Sequence, residues 1–407
     1  MVSQATILAE PSDIILHEHI PADKILSEAE MALLRRELAG RLDVLPTPTK
    51  GVYTLQPRQY VGFVILPTSR VIEIRPKVHI DVLFAMLAKA HNLADFGPEP
   101  QAYTSVPELF EFVVGFFVNM VEDLITRGIL RGFEPFQEDL LALRGKVLLT
   151  ETIRNRPVVR DRHWCSYTEF TADVPENRIL KLALSILLPF HYSRSPDLTT
   201  RLRRLFHAFA EVSLDPFVTE AFDLLVYHRL NEHYRPALCL ARLLLSCIAP
   251  SGARGPHQFL AFLVDMNILF ERYVAAAIEE GAASRRDLKV SDSKVNVLDL
   301  EGQVIVRPDV VIDLDGAPCL VLDAKYKLDD PNTDVYQALA YCHALGLPKA
   351  LLVYPASEEV TPRRYRIKPD QNIEIVLLTL NLSGNIEDLR RQTNIFLEDV
   401  WANIGFL

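Results

Sequence analysis

An α/β C-terminal domain with a mixed sheet, preceded by a β-rich N-terminal region and a mostly helical middle region, is the architecture this sequence predicts. Three observations carry it. Past residue 259, strand-like apolar runs alternate with helix-period runs, the pattern of helices packed on a sheet. Before residue 100, short runs alternate apolar and polar side chains with a period of two, as half-buried strands do. Between them, long stretches repeat apolar side chains at helical spacing.

In the N-terminal region, residues 1–100, "YVGFVIL" and "RVIEIRP" flank Pro67-Thr68-Ser69 as a hairpin, and "KILSEAEMALLRRELAGRL" sets its Leu and Met on one helical stripe. Lys77 and His79 are isolated here and read as surface or turn residues. In the middle region, residues 101–250, "LFEFVVGFFVNMVEDLI" follows the capping pattern Ser105-x-x-Glu108 and stops near Gly128. "ENRILKLALSILLPFHY" and "ALCLARLLLSCIA" are apolar on most sides, as core helices are. "APSGARGPHQF" at 249–259 is the linker candidate that opens the third region, 251–407. That region begins with an amphipathic helix over "FLVDMNILFERYVAAAIEEG", 262–281. It continues through a hairpin, the helix "DVYQALAYCHALG", strands "KALLVYP" and "NIEIVLLTLNL", and a helix over about 387–402.

At 407 residues, with 49% hydrophobic and 24% charged residues, the chain has the composition of a globular protein of two or three domains. No signal peptide is evident, and no run of about 18 uncharged apolar residues suggests a membrane span. Five cysteines without a C-x-x-C pair argue against a disulfide scaffold and a zinc site, which fits the cytoplasm. The net charge of -10 argues against indiscriminate nucleic-acid binding. Residues 141–205 nevertheless hold twelve Lys and Arg against six acids. Within them "RNRPVVRDRHW" places Arg154, Arg156, Arg160 and Arg162 beside Trp164, a composition suited to phosphate contact with a stacking platform. Solvated loop charge is the competing reading. Arg201, Arg203 and Arg204 read as a solvated helix face.

The chemistry concentrates in "VRPDVVIDLDGAPCLVLDAKYKL", 306–328. Two apolar runs flank Asp315-Gly316, a hairpin signal. A three-residue turn, 315–317, sets Asp309 opposite Asp323 and puts Lys325 on the same face; a two-residue turn opposes Asp309 to Leu322 and splits the polar groups. Two carboxylates so close repel unless a cation lies between them, and Mg²⁺ takes oxygen ligands with one or two carboxylates. An ammonium beside such an ion orients water and stabilises charge on a phosphate. A solvated polar face with weak salt bridges is the alternative. On the next helix Gln337 and Tyr341 are i and i+4 and share a face that can look toward this strand. An exposed Gln beside a half-buried Tyr is equally compatible with that spacing. Glu271, the acid within "NILFERYV", either reaches the same centre or pairs locally with Arg272.

Together "RPD", "DAK" and "QALAY" resemble the PD-(D/E)xK nuclease superfamily and its RecB-like branch. With "FLVDMNILFERYV" ahead of them, and weaker echoes in "IEIRPKV", "LRGKV" and "DVPENRILKLAL", nearly the whole chain resembles the McrC family, the nuclease subunit of McrBC-type modification-dependent restriction systems. That resemblance implies a C-terminal PD-(D/E)xK nuclease domain that cuts double-stranded DNA containing modified cytosine. Mg²⁺ would be its cofactor, with Mn²⁺ as a substitute, and a hexameric AAA+ GTPase its translocating partner. It assigns Asp309 and Asp323 to the metal, Ala324 to a backbone carbonyl ligand, Lys325 to the motif lysine, and Gln337, Tyr341 and Glu271 to auxiliary roles. Docking of the partner is expected on the N-terminal region, around residues 60–80. Asp323 stands where Glu is common in the superfamily. Since the sequence has no G-x-x-x-x-G-K-[ST] loop, the energy for translocation is expected from another polypeptide. Two other readings stay open, a coupling protein that chiefly stimulates the GTPase and a free-standing RecB-like repair nuclease.

Overall fold

The computed structural model describes residues 13–91, 93, 105–155, 162–193, 195–215, 222, 224–249, 259–283, 285, 287–292, 296–327, 332–357, 361–368 and 372–405. These fall into two compact units, residues 1–109 together with 251–407, and residues 110–250. The N-terminal and C-terminal regions, separate in the sequence reading, thus share one unit.

Sequence spacing misassigned one element on which that sharing rests. The run expected to be helical from 262 is extended through Asp265, and strand Leu260–Asp265 pairs antiparallel with Tyr60–Ile65. "LAFLVD" is apolar at four consecutive interior positions, which periodicity cannot distinguish from a buried helix segment. Asp265 ends it. Its carboxylate accepts from the backbone N–H of Asn267 (3.0 Å), caps helix Met266–Ala282 and so sets where Glu271 emerges. Strand Tyr60–Ile65 also pairs antiparallel with Val71–Arg75, which pairs in parallel with Ile14–His17. Val61, Phe63, Val64, Ile72 and Ile74 are buried, so the strands of the segment expected to dock a partner contribute to the core, while Lys77 and His79 beyond them are exposed. A second sheet orders Ala22–Ile25, Val52–Pro57 and Leu42–Pro46, beside helix Glu28–Glu37 with its Ser27/Glu30 capping box.

Gly62 permits the central pairing. Its φ is +151°, and a Cβ there would lie 2.0 Å from the Phe262 carbonyl oxygen. Since a backbone cannot yield as a flexible side chain does, Gly62→Ala is expected to cost about 3 kcal/mol or more. The urea midpoint of the full chain measures it, and an unchanged midpoint would show that the two strands separate at little cost.

The third sheet is mixed, as expected. Its order is Leu288–Asp292, Val310–Leu314, Ala317–Ala324, Lys349–Pro355, Glu374–Leu380, Arg363–Arg366. Ala317–Ala324, Lys349–Pro355 and Glu374–Leu380 run parallel, while the outer pairs are antiparallel. Parallel strands covered on both faces need near-continuous apolar runs, and "LLVY" and "IVLL" provide them. Helix Asn332–Leu345 crosses between the first two parallel strands and packs Ala338, Tyr341 and Cys342 against Val321, Leu352 and Ile375. Each large apolar side chain so buried contributes about 1.5–3 kcal/mol.

The 110–250 unit is less helical than its spacing predicted. Beside helices Pro175–Leu187, Leu198–Ala208 and Arg235–Cys247 and most of Val106–Arg127, it holds a three-stranded sheet of Gly132–Leu140, His163–Thr171 and Lys146–Val147. The acids that interrupt "LFEFVVGFFVNMVEDLI" are used internally. Glu111 accepts from the Ser193 backbone N–H (2.7 Å), and Glu122 is gripped by Arg201 (2.6 Å) and Arg204. Two of the three arginines read as a solvated face are therefore ion-paired. No helix among the described residues is long and apolar enough to cross a membrane, and all five cysteines are free thiols.

Candidate functional site

The hairpin reaches the expected register by an unexpected route. Its turn has two residues, Asp315 and Gly316, both at positive φ (+51° and +83°), as "DG" favours. Leu314 accordingly faces Ala317 and Asp313 faces Pro318, the pairing that splits the polar groups. A bulge at Cys319 then inserts one residue, and beyond it Ile312 faces Leu320, Val311 faces Val321 and Val310 faces Leu322. One further step brings Asp309 across from Asp323. The Cys319 thiol bonds the Ile312 carbonyl within the bulge (3.3 Å). The odd-numbered turn was the wrong premise; the register at the carboxylate end follows from the bulge.

Asp323 is 1% exposed at the end of strand Ala317–Ala324. Its Oδ2 lies 2.6 Å from the Lys325 ammonium, and its other oxygen, Oδ1, lies 3.3 Å from the Tyr341 hydroxyl. That hydroxyl accepts from Gln337 Nε2 (2.6 Å) and is also 3.1 Å from the Arg307 carbonyl. Its one proton serves Asp323 or Arg307, not both. Asp309, in the bend before Val310–Leu314, accepts the Ala324 N–H at 2.7 Å and is within hydrogen-bonding reach of Asp323. Burial first, then the Asp323 charge, pushes Asp309 up to about 7 from the usual 3.8, against the pull of the Ala324 N–H. Asp323 is also raised by burial, which Lys325 partly offsets. Burial acts to lower Lys325, but the charge and hydrogen bond of Asp323 outweigh it and hold the ammonium above its ordinary range. Half-buried Glu271 is raised by burial and feels both Lys325 and Asp323, so its helix turns it toward this centre. Its carboxylate does not complete a metal cage. Among the described residues no group of three or more His, Cys, Asp or Glu side chains is placed to hold a metal ion. A buried and a half-buried carboxylate that repel one another fit a hard cation that keeps much of its water, as Mg²⁺ does.

The McrBC 5-methylcytosine restriction system component family matches residues 55–355, most of the chain. The chain belongs to that family. It is 22% identical over 301 residues to the type IV methyl-directed restriction enzyme EcoKMcrBC of Escherichia coli K12, covering 66% of this chain and 83% of that one. A chain of the refined half-complex from the tetradecameric assembly of Thermococcus gammatolerans McrB AAA+ hexamers with bound McrC is similar in fold. Its TM-score is 0.55 at 19% identity, covering 96% of this chain and all of that one.

In this McrBC-family chain the basic stretch belongs to the 110–250 unit and the site residues to the other. Arg162 is committed to Asp139, donating to its backbone carbonyl at 2.6 Å and pairing with its carboxylate at 3.4 Å. Trp164 is half-buried in strand His163–Thr171, and Arg154 is exposed on helix Leu149–Asn155. Arg156 and Arg160 lie outside the described residues. The sequence reading missed Lys327, Asp334 and Tyr354. Buried Asp334, in the first turn of the helix that carries Gln337 and Tyr341, accepts from the Tyr354 hydroxyl (2.5 Å) and from Lys327 (3.0 Å). An acid near a helix start reads as ordinary dipole compensation, so only its burial exposes this anchoring role.

The raised Asp309 has a measurable consequence. Since its folded value lies above its unfolded one, protonated Asp309 stabilises the metal-free fold, fully below about pH 4. That stability is lost as pH rises to about 7, by up to about 1.4 kcal/mol per pH unit. Asp309→Asn is expected to flatten this component, and Mg²⁺ to restore wild-type stability above pH 7 but not that of the variant. Thermal unfolding from pH 5 to 8, with and without Mg²⁺, checks both; parallel curves would show that Asp309 ionises normally.

Proposed function

We propose that this chain is the nuclease subunit of a McrBC-type, type IV restriction system, hydrolysing DNA phosphodiesters at a PD-(D/E)xK centre when activated by a hexameric McrB-like AAA+ GTPase. The convergence of Asp309, Asp323 and Lys325 where an antiparallel and a parallel strand pair meet carries the reading. Family membership supports the restriction context, and the Thermococcus assembly of McrB hexamers with McrC supports the partner. Asp309, Asp323 and the Ala324 carbonyl are the groups that would hold Mg²⁺. When bound, the ion supplies positive charge for the reacting phosphate and for the attacking water. Lys325, paired now with Asp323, is close enough to donate to a phosphate oxygen or to orient that water. Tyr341 and Gln337 fix the far oxygen of Asp323, and Glu271 can accept a proton from water, since burial raises its affinity for one.

Partner docking is better supported on the 110–250 unit than on residues 60–80. Phe133 and Phe170 are 74% and 54% exposed with ring centroids 5.0 Å apart, and Leu141, Leu143, Leu149 and Ile153 are exposed as well. An exposed aromatic pair of this kind suits a protein contact. The activity test is cleavage of DNA containing 5-methylcytosine by chain and partner together with GTP and Mg²⁺. Cleavage is expected to cease with EDTA and to return with Mn²⁺; cleavage that persists in EDTA overturns the metal mechanism.

A further inference from the structure

A cavity of about 580 Å³ opens directly beyond the DAK segment, and its walls have one topological origin. Tyr326 and Lys327 follow strand Ala317–Ala324, residues 355–357 close strand Lys349–Pro355, and 381–384 follow strand Glu374–Leu380, three parallel strands ending on the same side. His19 and residues 77–79 follow the parallel pair Ile14–His17 and Val71–Arg75. Open α/β sheets bind ligands beyond the carboxyl ends of their strands, where crossovers diverge and leave a crevice. Here two sets of parallel strand ends face one crevice.

Its lining is rich in hydrogen-bond donors. His19, Lys77, His79 and Lys327 supply donors, with the hydroxyl of Ser383 and the amide of Asn381 beside them. Lys327 is held in place by Asp334 at 2.9 Å, and His79 lies 3.3 Å from Asp81, while Lys77 and Ser383 are exposed. Beneath the basic wall lies a built support. Glu18, fully buried, accepts from the Tyr326 hydroxyl (3.3 Å) and the Lys77 N–H (3.4 Å), and its other oxygen is 3.4 Å from His19 Nε2. His19 takes φ +61°, an uncommon conformation for a residue other than Gly, though His is one of the residue types that adopt it more readily. The buried carboxylate therefore ties the N-terminal loops to the residue that separates Lys325 from Lys327.

We infer that this cavity is a phosphate subsite for the DNA backbone beside the scissile bond, with Lys77 and Lys327 as its cationic contacts and His19 beside them. The inference rests on the nuclease reading for the identity of the strand. Lys327 lies two residue steps beyond Lys325, about 7 Å in extended chain, so a DNA strand lying on Lys325 would pass this mouth. The same chemistry fits a free nucleoside monophosphate, and the test separates the two sources.

The full chain is titrated into labelled duplex DNA with Ca²⁺ in place of Mg²⁺, between about 50 and 200 mM KCl. Lys77→Ala and Ser383→Glu are compared with Lys50→Ala, an exposed lysine in a turn away from the cavity. Lys77→Ala is expected to weaken binding several-fold and to reduce the slope of log affinity against log salt by about 1, the loss of one phosphate contact. Ser383→Glu is expected to weaken it at least as much, and Lys50→Ala to leave both quantities unchanged. Equal affinity and slope in all four proteins, or no binding at the lowest salt, overturns the subsite. Stabilisation of the wild type by thymidine monophosphate, lost in Lys77→Ala while DNA binding is unaltered, overturns it in favour of a free-nucleotide pocket. Absence of cleavage with Mg²⁺ and partner, with these binding differences intact, defeats hydrolysis but not the subsite.

Discussion

Replacing Asp323 with Asn is expected to reduce DNA cleavage by the chain and its partner by a factor of about 10³ or more. Asn keeps the shape of a side chain that is 1% exposed, so the loss reports charge rather than a cavity. Three interactions fail together: the proposed metal site loses one of its two carboxylates, Lys325 loses the anion 2.6 Å away, and Tyr341 hydrogen-bonds a weaker acceptor. Asp323→Ala adds a packing defect and leaves Lys325 without its partner, which costs more stability than the ion pair itself contributes. Its thermal midpoint should therefore fall below that of Asp323→Asn, though neither cleaves. Gel assays on methylated duplex with Mg²⁺ and GTP, alongside melting curves, separate the effects. Cleavage by Asp323→Asn within tenfold of wild type would remove Asp323 from the centre.

What the sequence disclosed and what it hid divide along a physical line. The carboxylates and lysine were legible because strand geometry forces alternate residues onto one face, and Gln337 with Tyr341 because helix geometry stacks i and i+4. The Cys319 bulge was not legible, since no side chain there demands an extra residue; the correct register was reached through a turn of the wrong length. Residues 262–265 of strand Leu260–Asp265 were read as helix because a short apolar run carries no period, and the strand's partner, Tyr60–Ile65, lies some two hundred residues away in the chain. The sheet of the 110–250 unit escaped for a related reason. Strand Gly132–Leu140 spells "GFEPFQEDL", with a proline and three acids, and is held by its long pairing with His163–Thr171 rather than by a buried apolar face. Glu18 and Asp334 could be recognised only by burial, which a charged residue in a sequence does not announce.

Lys325→Ala provides the sharper separation of roles, because chemistry and assembly are expected to respond in opposite ways. Removing the ammonium should lower the cleavage rate by about 10²–10³, the usual effect of losing one group that stabilises developing charge. Mg²⁺ affinity should hold or rise, since Lys325 occupies Asp323 Oδ2 at 2.6 Å and competes with a cation for it. Partner binding and stimulation of its GTP turnover should persist, because the proposed docking pair, Phe133 and Phe170, belongs to the 110–250 unit and Lys325 to the other. Phe133→Ser with Phe170→Ser is the converse variant. Both side chains are more than half exposed, so the exchange removes apolar contact surface while disturbing little of the fold. It should lower partner affinity and GTPase stimulation, and with them cleavage, while leaving Mg²⁺ binding intact. Calorimetry with Mg²⁺, GTP turnover and DNA cleavage, each measured on both variants, give the pattern. Normal cutting by Lys325→Ala would refute the motif lysine; loss of GTPase stimulation in a folded, Mg²⁺-binding Lys325→Ala protein would show that the nuclease centre itself signals to the partner.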